Sequence, residues 1–285
     1  MKKFAVVLLA LTLVVVSAGC GEKPLAEAEL RAMMEAEVTQ PILDFKYDDY
    51  GGDGAFEAFA FVGEKPDEGD GHAGEIWFVS ADGAERLEAS PHGTYWGLLD
   101  VLTFGGRKFV KAETYYTTGG ASNLWSVREG KPHCEAVPGS GGFLVQIDDN
   151  SFTLEHSALD AIYTDGMLMA RTWKPYWFFW DGESFKEYGG VKITEEQLRK
   201  CGGASEVLDG IYGIVGDIFY RGNGIINVNH TVLQSEGDIR NEYITLQLDG
   251  TEISIDETYE NFGGIYLPAL APDIAVYPEL PGIFN

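Results

Sequence analysis

The chain is short of cysteine, of basic residues and of long apolar runs, and each shortage closes off a class of protein. It holds three cysteines in 285 residues. Past the N-terminus only Cys134 and Cys201 remain, far apart and with no histidine at ligand spacing, which argues against a zinc framework. Lys and Arg number 20 against 45 Asp and Glu, for a formal net charge of -25. Such a field opposes nucleic acid and anionic lipid headgroups and leaves cations, neutral glycans and basic partners. The five histidines, His72, His92, His133, His156 and His230, show no metal-binding spacing. No G-x-S-x-G elbow, phosphate loop or dinucleotide fingerprint occurs.

The apolar run Phe4 to Val16 is shorter than the ~20 residues that span a bilayer, so a permanent transmembrane helix is the weaker reading. Lys2 and Lys3 before it and Ser17-Ala-Gly-Cys20 after it read as a signal peptide covering 1–20. The small residues leading into Cys20 resemble the bacterial lipobox. That resemblance implies diacylglycerol on the Cys20 thiol and a mature chain starting there, lipid-anchored on the outer face of the cytoplasmic membrane at the cell surface. Two acyl chains at ~0.8 kcal/mol per buried methylene hold such an anchor stably. Loss of Lys2 and Lys3 with the leader takes the net charge from -25 to -27.

Residues 21–43 read as a linker and one helix. Leu25 to Val38 is built from strong helix formers, with Leu30, Met33, Met34 and Val38 at helical spacing and Pro41 as the stop. From Phe45 the texture becomes short strands and glycine turns, in keeping with 36 glycines. Four segments repeat an apolar strand followed by an acid-glycine or similar turn: Ile76 to Ala84, Leu124 to Lys131, Tyr176 to Phe185 and Tyr243 to Ile253. Their turn glycines are Gly83, Gly130, Gly182 and Gly250. Upstream strands are expected at 58–62, 107–113, 167–172 and 224–232. Thr194 followed by Gln197 marks a capping box for a short insertion helix near 194–201. Pro268, Pro272, Pro278 and Pro281 predict an extended tail over 268–285.

Units of ~40–50 residues with four short strands each are the signature of propeller blades. The loop Asp49 to Glu57, with Asp53-Gly54 at its centre, is similar to the calcium loop of FG-GAP and VCBS-type repeats, with Gly51 where an acid is expected. The resemblance implies an all-β, propeller-like array of about four antiparallel units over 44–267, after one N-terminal helix, in a Firmicutes-type surface lipoprotein. A two-sheet sandwich with irregular hairpins is the other architecture open to this pattern.

Three sites follow. Asp49, Asp53 and Glu57 are the expected calcium ligands, with Asp48 beside them, because calcium takes several hard oxygens at closely spaced positions. An ordinary Asp-Gly turn without metal is the alternative. Trp173, Tyr176, Trp177 and Trp180 form a candidate aromatic platform for a glycan, since strand alternation places Tyr176 and Trp180 on one face and Trp177 on the other. Cys134 and Cys201 either pair as a disulfide, as an exported protein permits, or remain two buried thiols. Among so many acids a glycosidase pair such as Glu113 with Asp160 is easy to nominate. His156, Ser157 and Asp160 lie close in sequence, but a triad is defined by geometry. The expected function is a non-catalytic binding or scaffolding module of the cell envelope, calcium-steadied, with a glycan, peptide or protein ligand and no nucleic acid. A cell-envelope glycan hydrolase is the alternative.

Overall fold

A computed structural model describes residues 24–64, 73–90, 99–116, 119–135, 144–156, 161–164, 167–171, 174–233, 239–261 and 277–285. The fold is all-β, with four antiparallel sheets, one two-stranded ribbon and few helices. None of the described helices is long and apolar enough to cross a membrane. The chain opens with α1 (Glu27–Glu37), where the Glu29 carboxylate accepts the N–H of Ala26 at 2.7 Å. Leu30 and Met34 are its buried face, and Val38 leaves the helix in an extended conformation.

The first sheet is a meander of β1 (Ile42–Asp48), β2 (Glu57–Glu64), β3 (Ala73–Ser80) and β4 (Gly83–Ser90). The second repeats it with β5 (Asp100–Phe104), β6 (Arg107–Tyr116), β7 (Gly119–Arg128) and β8 (Lys131–Cys134). The third joins β9 (Leu144–Gln146) and β10 (Ser151–His156) to β13 (Lys174–Trp180) and β14 (Phe185–Tyr188). Between β10 and β13 the chain makes a separate ribbon of β11 (Ala161–Thr164) and β12 (Met167–Arg171). The fourth sheet begins with β15 (Val191–Ile193), passes through α2 (Glu195–Leu198) and α3 (Ala204–Gly210), and continues as β16 (Ile214–Gly222), β17 (Ile225–Leu233), β18 (Ile239–Asp249) and β19 (Glu252–Asn261).

Each of the four repeated segments supplies the next-to-last strand of one sheet and the turn that follows it. Gly83, Gly130, Gly182 and Gly250 all have positive φ, between 61° and 130°. Hairpin turns need that left-handed backbone, and glycine adopts it without a Cβ penalty. Two strand expectations need correction. Residues 42–48 form β1, so the first sheet starts inside the segment read as linker. In the third sheet the second strand is β10, and 167–171 belongs to the side ribbon. Both stretches are short apolar-rich strands, and pairing partners are decided by non-local contacts that a strand's own pattern does not encode.

The sheets stack in chain order. Tyr50, Phe59, Phe61, Ile76 and Phe78 of the first pack against Leu99, Val110, Ala112 and Val127 of the second. Phe104, Phe109 and Leu124 on the second's opposite face meet Phe152, Leu154, Tyr176, Phe178 and Phe185 of the third. The third meets the fourth through Tyr188, whose hydroxyl donates to the Arg221 carbonyl at 2.9 Å, and through Trp177 beneath the Arg221 guanidinium at 5.5 Å. Both outer faces of this stack are covered by helices. Leu30 and Met34 of α1 cover Ala58, Ala60 and Val62 of the first sheet. Leu198, Ala204 and Leu208 cover Ile226, Val228 and Leu246 of the fourth.

Thr194 caps α2 as its sequence predicts, accepting the N–H of Gln197 at 3.1 Å. The described end of the tail, 277–285, seals the same corner. Phe284 is buried among the helices, and the Gln197 side chain donates to the Phe284 carbonyl at 2.6 Å. Tyr277 stacks flat on Phe179 with ring centroids 4.4 Å apart.

Candidate functional site

The acidic loop lies between β1 and β2, and its carboxylates are directed at its own backbone. Asp49 accepts the N–H groups of Gly52 at 2.7 Å, Asp53 at 3.2 Å and Gly54 at 3.1 Å. Asp53 accepts from the Ala55 amide, and Asp48 takes the Lys108 ammonium of β6 at 2.5 Å. Glu57 is 2 % exposed and accepts the Tyr50 N–H at 3.2 Å. Burial, and next the nearby Asp53 and Asp49 charges, push its carboxyl up to about 7 against the opposing pull of backbone N–H groups. The Tyr50 ring packs edge-on against Phe59, so the buried end of the loop is part of the seam between the first two sheets. Among the described residues no group of three or more His, Cys, Asp and Glu side chains is placed to share an ion.

The aromatic strand is covered on both sides. Tyr176, Phe178 and Trp180 are buried in the core shared by the second and third sheets, with Trp180 edge-on to Phe109 at 5.1 Å. Trp177 is buried on the opposite face under Arg221. As placed, these rings are core and present no open stacking face, because a strand between two stacked sheets has neighbours above and below it. Trp173 lies outside the described residues, as do Cys20 and Asp160.

Cys134 is exposed at the end of β8, whereas Cys201 is buried beside α3 in the fourth sheet's core. Burial, with Glu252 nearby, raises the Cys201 thiol above its ordinary range. The two sulfurs are not bonded to each other. Glu113 lies in a chain of charges, accepting from Lys111 at 2.9 Å, while Lys111 also meets Asp100 at 3.1 Å.

A different feature gathers chemistry on one side of the stack. The edge strands β1, β5 and β9 of the first three sheets, and β16, the second strand of the fourth, are tied in sequence by three cross-sheet hydrogen bonds. The Leu99 N–H, just before β5, donates to Asp44 of β1 at 3.0 Å. The Gln146 amide of β9 donates to the Thr103 carbonyl of β5 at 2.9 Å. The Asn223 amide, just after β16, donates to the Ile147 carbonyl beyond β9 at 2.9 Å. β1, β5 and β9 are terminal strands of their sheets, so alternate backbone groups point outward along this row.

Five large apolar side chains are exposed among the described residues: Val101 at 40 %, Val145 at 53 %, Tyr212 at 79 %, Ile214 at 65 % and Ile255 at 55 %. Val101 and Val145 lie close to the tie between β5 and β9, whereas Ile214 opens β16 at the end away from the Asn223–Ile147 bond. Asp100 and Asp217 on the same strands are more than half exposed, and Asp53 and Asp149 stand exposed in the turns that follow β1 and β9. Around β5 and β9 the surface is therefore apolar along the strands and acidic beside them. Periodicity within one strand gives no sign of it, because it exists only once separate sheets are stacked.

No family model matches the chain, and no curated protein and no solved structure matches it.

Proposed function

We propose that the protein is an exported lipoprotein, anchored through Cys20 to the outer face of the cytoplasmic membrane, whose stacked sheets form a propeller-like binding or scaffolding module of the cell envelope. The blades form an open stack: each terminal sheet turns its outer face to helices, where a closed ring would pack those two faces together. The observation that carries the binding reading is the tied pair of edge strands β5 and β9, on which Val101 and Val145 stand exposed. Exposed branched aliphatics on a folded surface mark contact sites when they are gathered into one region.

Two experiments test the two halves of this reading. Radioactive palmitate should label the wild type and not Cys20→Ala; label persisting in the variant removes the anchor. Hydrogen exchange on intact cells, compared with the purified chain, should show added protection at 100–104 and 144–146. Equal exchange in both settings removes the binding face.

Calcium enters as a brace of the Asp49 loop, on its sequence pattern and on the Glu57 carboxyl held against Asp49 and Asp53. A ligand bound only by the native state raises the melting temperature. Melts at neutral pH with calcium and with chelator should differ; identical midpoints remove the ion.

A further inference from the structure

We infer that the corner between the third and fourth sheets is a peptide-recognition groove, and that the segment 277–285 seated in it is exchanged for the same segment of a second copy of this chain. The inference is independent of the face on β5 and β9.

The segment is held as a ligand is held. It adds no strand to a sheet, and its one regular element is the 3-10 turn Gly282–Phe284. Two aromatic anchors stand at its ends. Tyr277 lies flat on Phe179 of β13, with ring centroids 4.4 Å apart and planes at 1°, and meets Tyr188 of β14 edge-on at 5.0 Å. Phe284 is fully buried in the core built by α2, α3 and the fourth sheet, beside the ring of Tyr220. Between the anchors Leu280 and Ile283 pack against the same core. Pro278 crosses Gly222, where an added Cβ would stand 3.3 Å from the proline ring, so glycine there lets the segment lie close. The carbonyls of Phe284 and Asn285 accept from the side chains of Gln197 at 2.6 Å and Lys200 at 3.0 Å. Aromatic walls with polar side chains at the rim are how extended, proline-containing segments are recognised.

Exchange follows from where these contacts lie. All of them are made by 277–285 itself, and the preceding described strand, β19, ends at Asn261. The intervening 262–276 can span at most ~50 Å, several times the ~10 Å between packed sheets. The segment of a second copy therefore makes the same contacts in the groove, and only the cost of association differs. A tethered tail has an effective concentration of the order of mM in its own groove, so the dilute chain keeps its own. Copies gathered at comparable density trade tails, a low-cost route to dimers.

The probe is the fluorescein-labelled peptide Tyr-Pro-Glu-Leu-Pro-Gly-Ile-Phe-Asn, read by fluorescence anisotropy against full-length chains, with a scrambled peptide as control. A tail variant carrying Tyr277→Ser with Phe284→Ser should bind it about tenfold or more tighter than the wild type, because the competing tail is weakened. Phe179→Ser added to that variant should remove the gain. Circular dichroism checks each fold; if the tail variant does not fold alone, the peptide should restore its spectrum, as a ligand of the native state does. The second copy is tested by mixing the tail variant, whose groove is open, with the Phe179→Ser chain, whose tail is loosened. Sedimentation should show a one-to-one heterodimer at micromolar concentrations where each chain alone is a monomer.

Equal affinity in the wild type and the tail variant, or binding that survives Phe179→Ser, puts the peptide elsewhere and overturns the inference. Absence of binding to the folded tail variant, or no recovery of an unfolded one, makes the segment a part of the core instead of a ligand and overturns it as well. Peptide binding without a heterodimer removes the second copy as the occupant and overturns the exchange.

Discussion

The seam between the second and third sheets and the seam between the third and fourth are made of opposite chemistry. The former is a knot of rings: Phe104, Phe109, Phe152 and Phe185 make five pairwise contacts at 5.1–5.8 Å, with Phe178 stacked on Phe152 at 5.3 Å. The latter turns on one buried cation. Arg221 donates to Asn227 at 2.8 Å and to the Gly189 carbonyl, lies over Trp177 and Phe219, and has Tyr188 donating to its own carbonyl. Ring packing is weakly directional and depends on filled volume. A buried guanidinium is directional, and its geometry selects one arrangement of the two sheets. The fourth sheet, which carries its own helices and the chain end as cover, is thus docked by recognition, and the third by burial.

The comparison is broken most severely at the ring knot. Phe152→Ala should cost about 3–5 kcal/mol, the range for large-to-small changes at fully buried phenylalanines, measured by urea denaturation. A loss under ~1 kcal/mol would mean that the knot does not bear on stability. Next comes Arg221→Leu, expected to cost about 2–3 kcal/mol because buried acceptors lose their donor. Arg221→Lys should recover little of it, since a lysine cannot present the planar fork to two acceptors at once. Full recovery by lysine would show that charge alone, and not geometry, docks the fourth sheet.

A smaller effect belongs to the seam between the first two sheets. The Glu57 carboxyl stands raised from its ordinary 4.5 to about 7 in the folded chain, chiefly by burial. Its folded state binds the proton more tightly than the unfolded chain, so its stabilising contribution is complete below the ordinary value and is lost as pH rises through about 7. Glu57→Gln should therefore flatten the stability profile over that window by about 1–2 kcal/mol, followed by thermal melts across the range. An unchanged slope in the variant would assign the pH dependence to other groups. The smallest effect is at the exposed Arg86–Glu75 pair, 2.9 Å apart. Arg86→Ala should change stability by about 0.5 kcal/mol or less, as surface ion pairs do. A larger loss would give the outer edge of the first sheet a weight that the two seams do not share.

Much of the local structure was legible before any pairing was known. The four turn glycines announce four hairpins because glycine adopts the left-handed turn backbone without a Cβ penalty. Leu30 and Met34 announce a buried helical face because their spacing matches the helical period. Thr194 and Gln197 announce a helix start because their side chains answer otherwise unpaired amides. The third unit was harder. Met167 to Arg171 reads as well for a blade strand as Ser151 to His156 does, and only the pairing of β10 with β13 separates them. Alternation places Trp177 and Trp180 on opposite faces, yet it is silent on whether a second sheet covers each face. In the acidic loop the residue types suggested an ion, whereas the direction of the Asp49 oxygens toward three amides follows from the folded path of the loop.

By itself the sequence determined the elements: strands from alternation, turns from glycine, helix ends from caps, and a strongly acidic surface from composition. These are short-range properties, set within a few residues by sterics and local hydrogen bonding. Only the tertiary structure decided which strands share a sheet, that the sheets stack in chain order between helical covers, and that Val101 and Val145 fall on neighbouring tied edges. Those outcomes depend on contacts between residues tens of positions apart, where the free energy of burying faces together, and not any local preference, selects the arrangement.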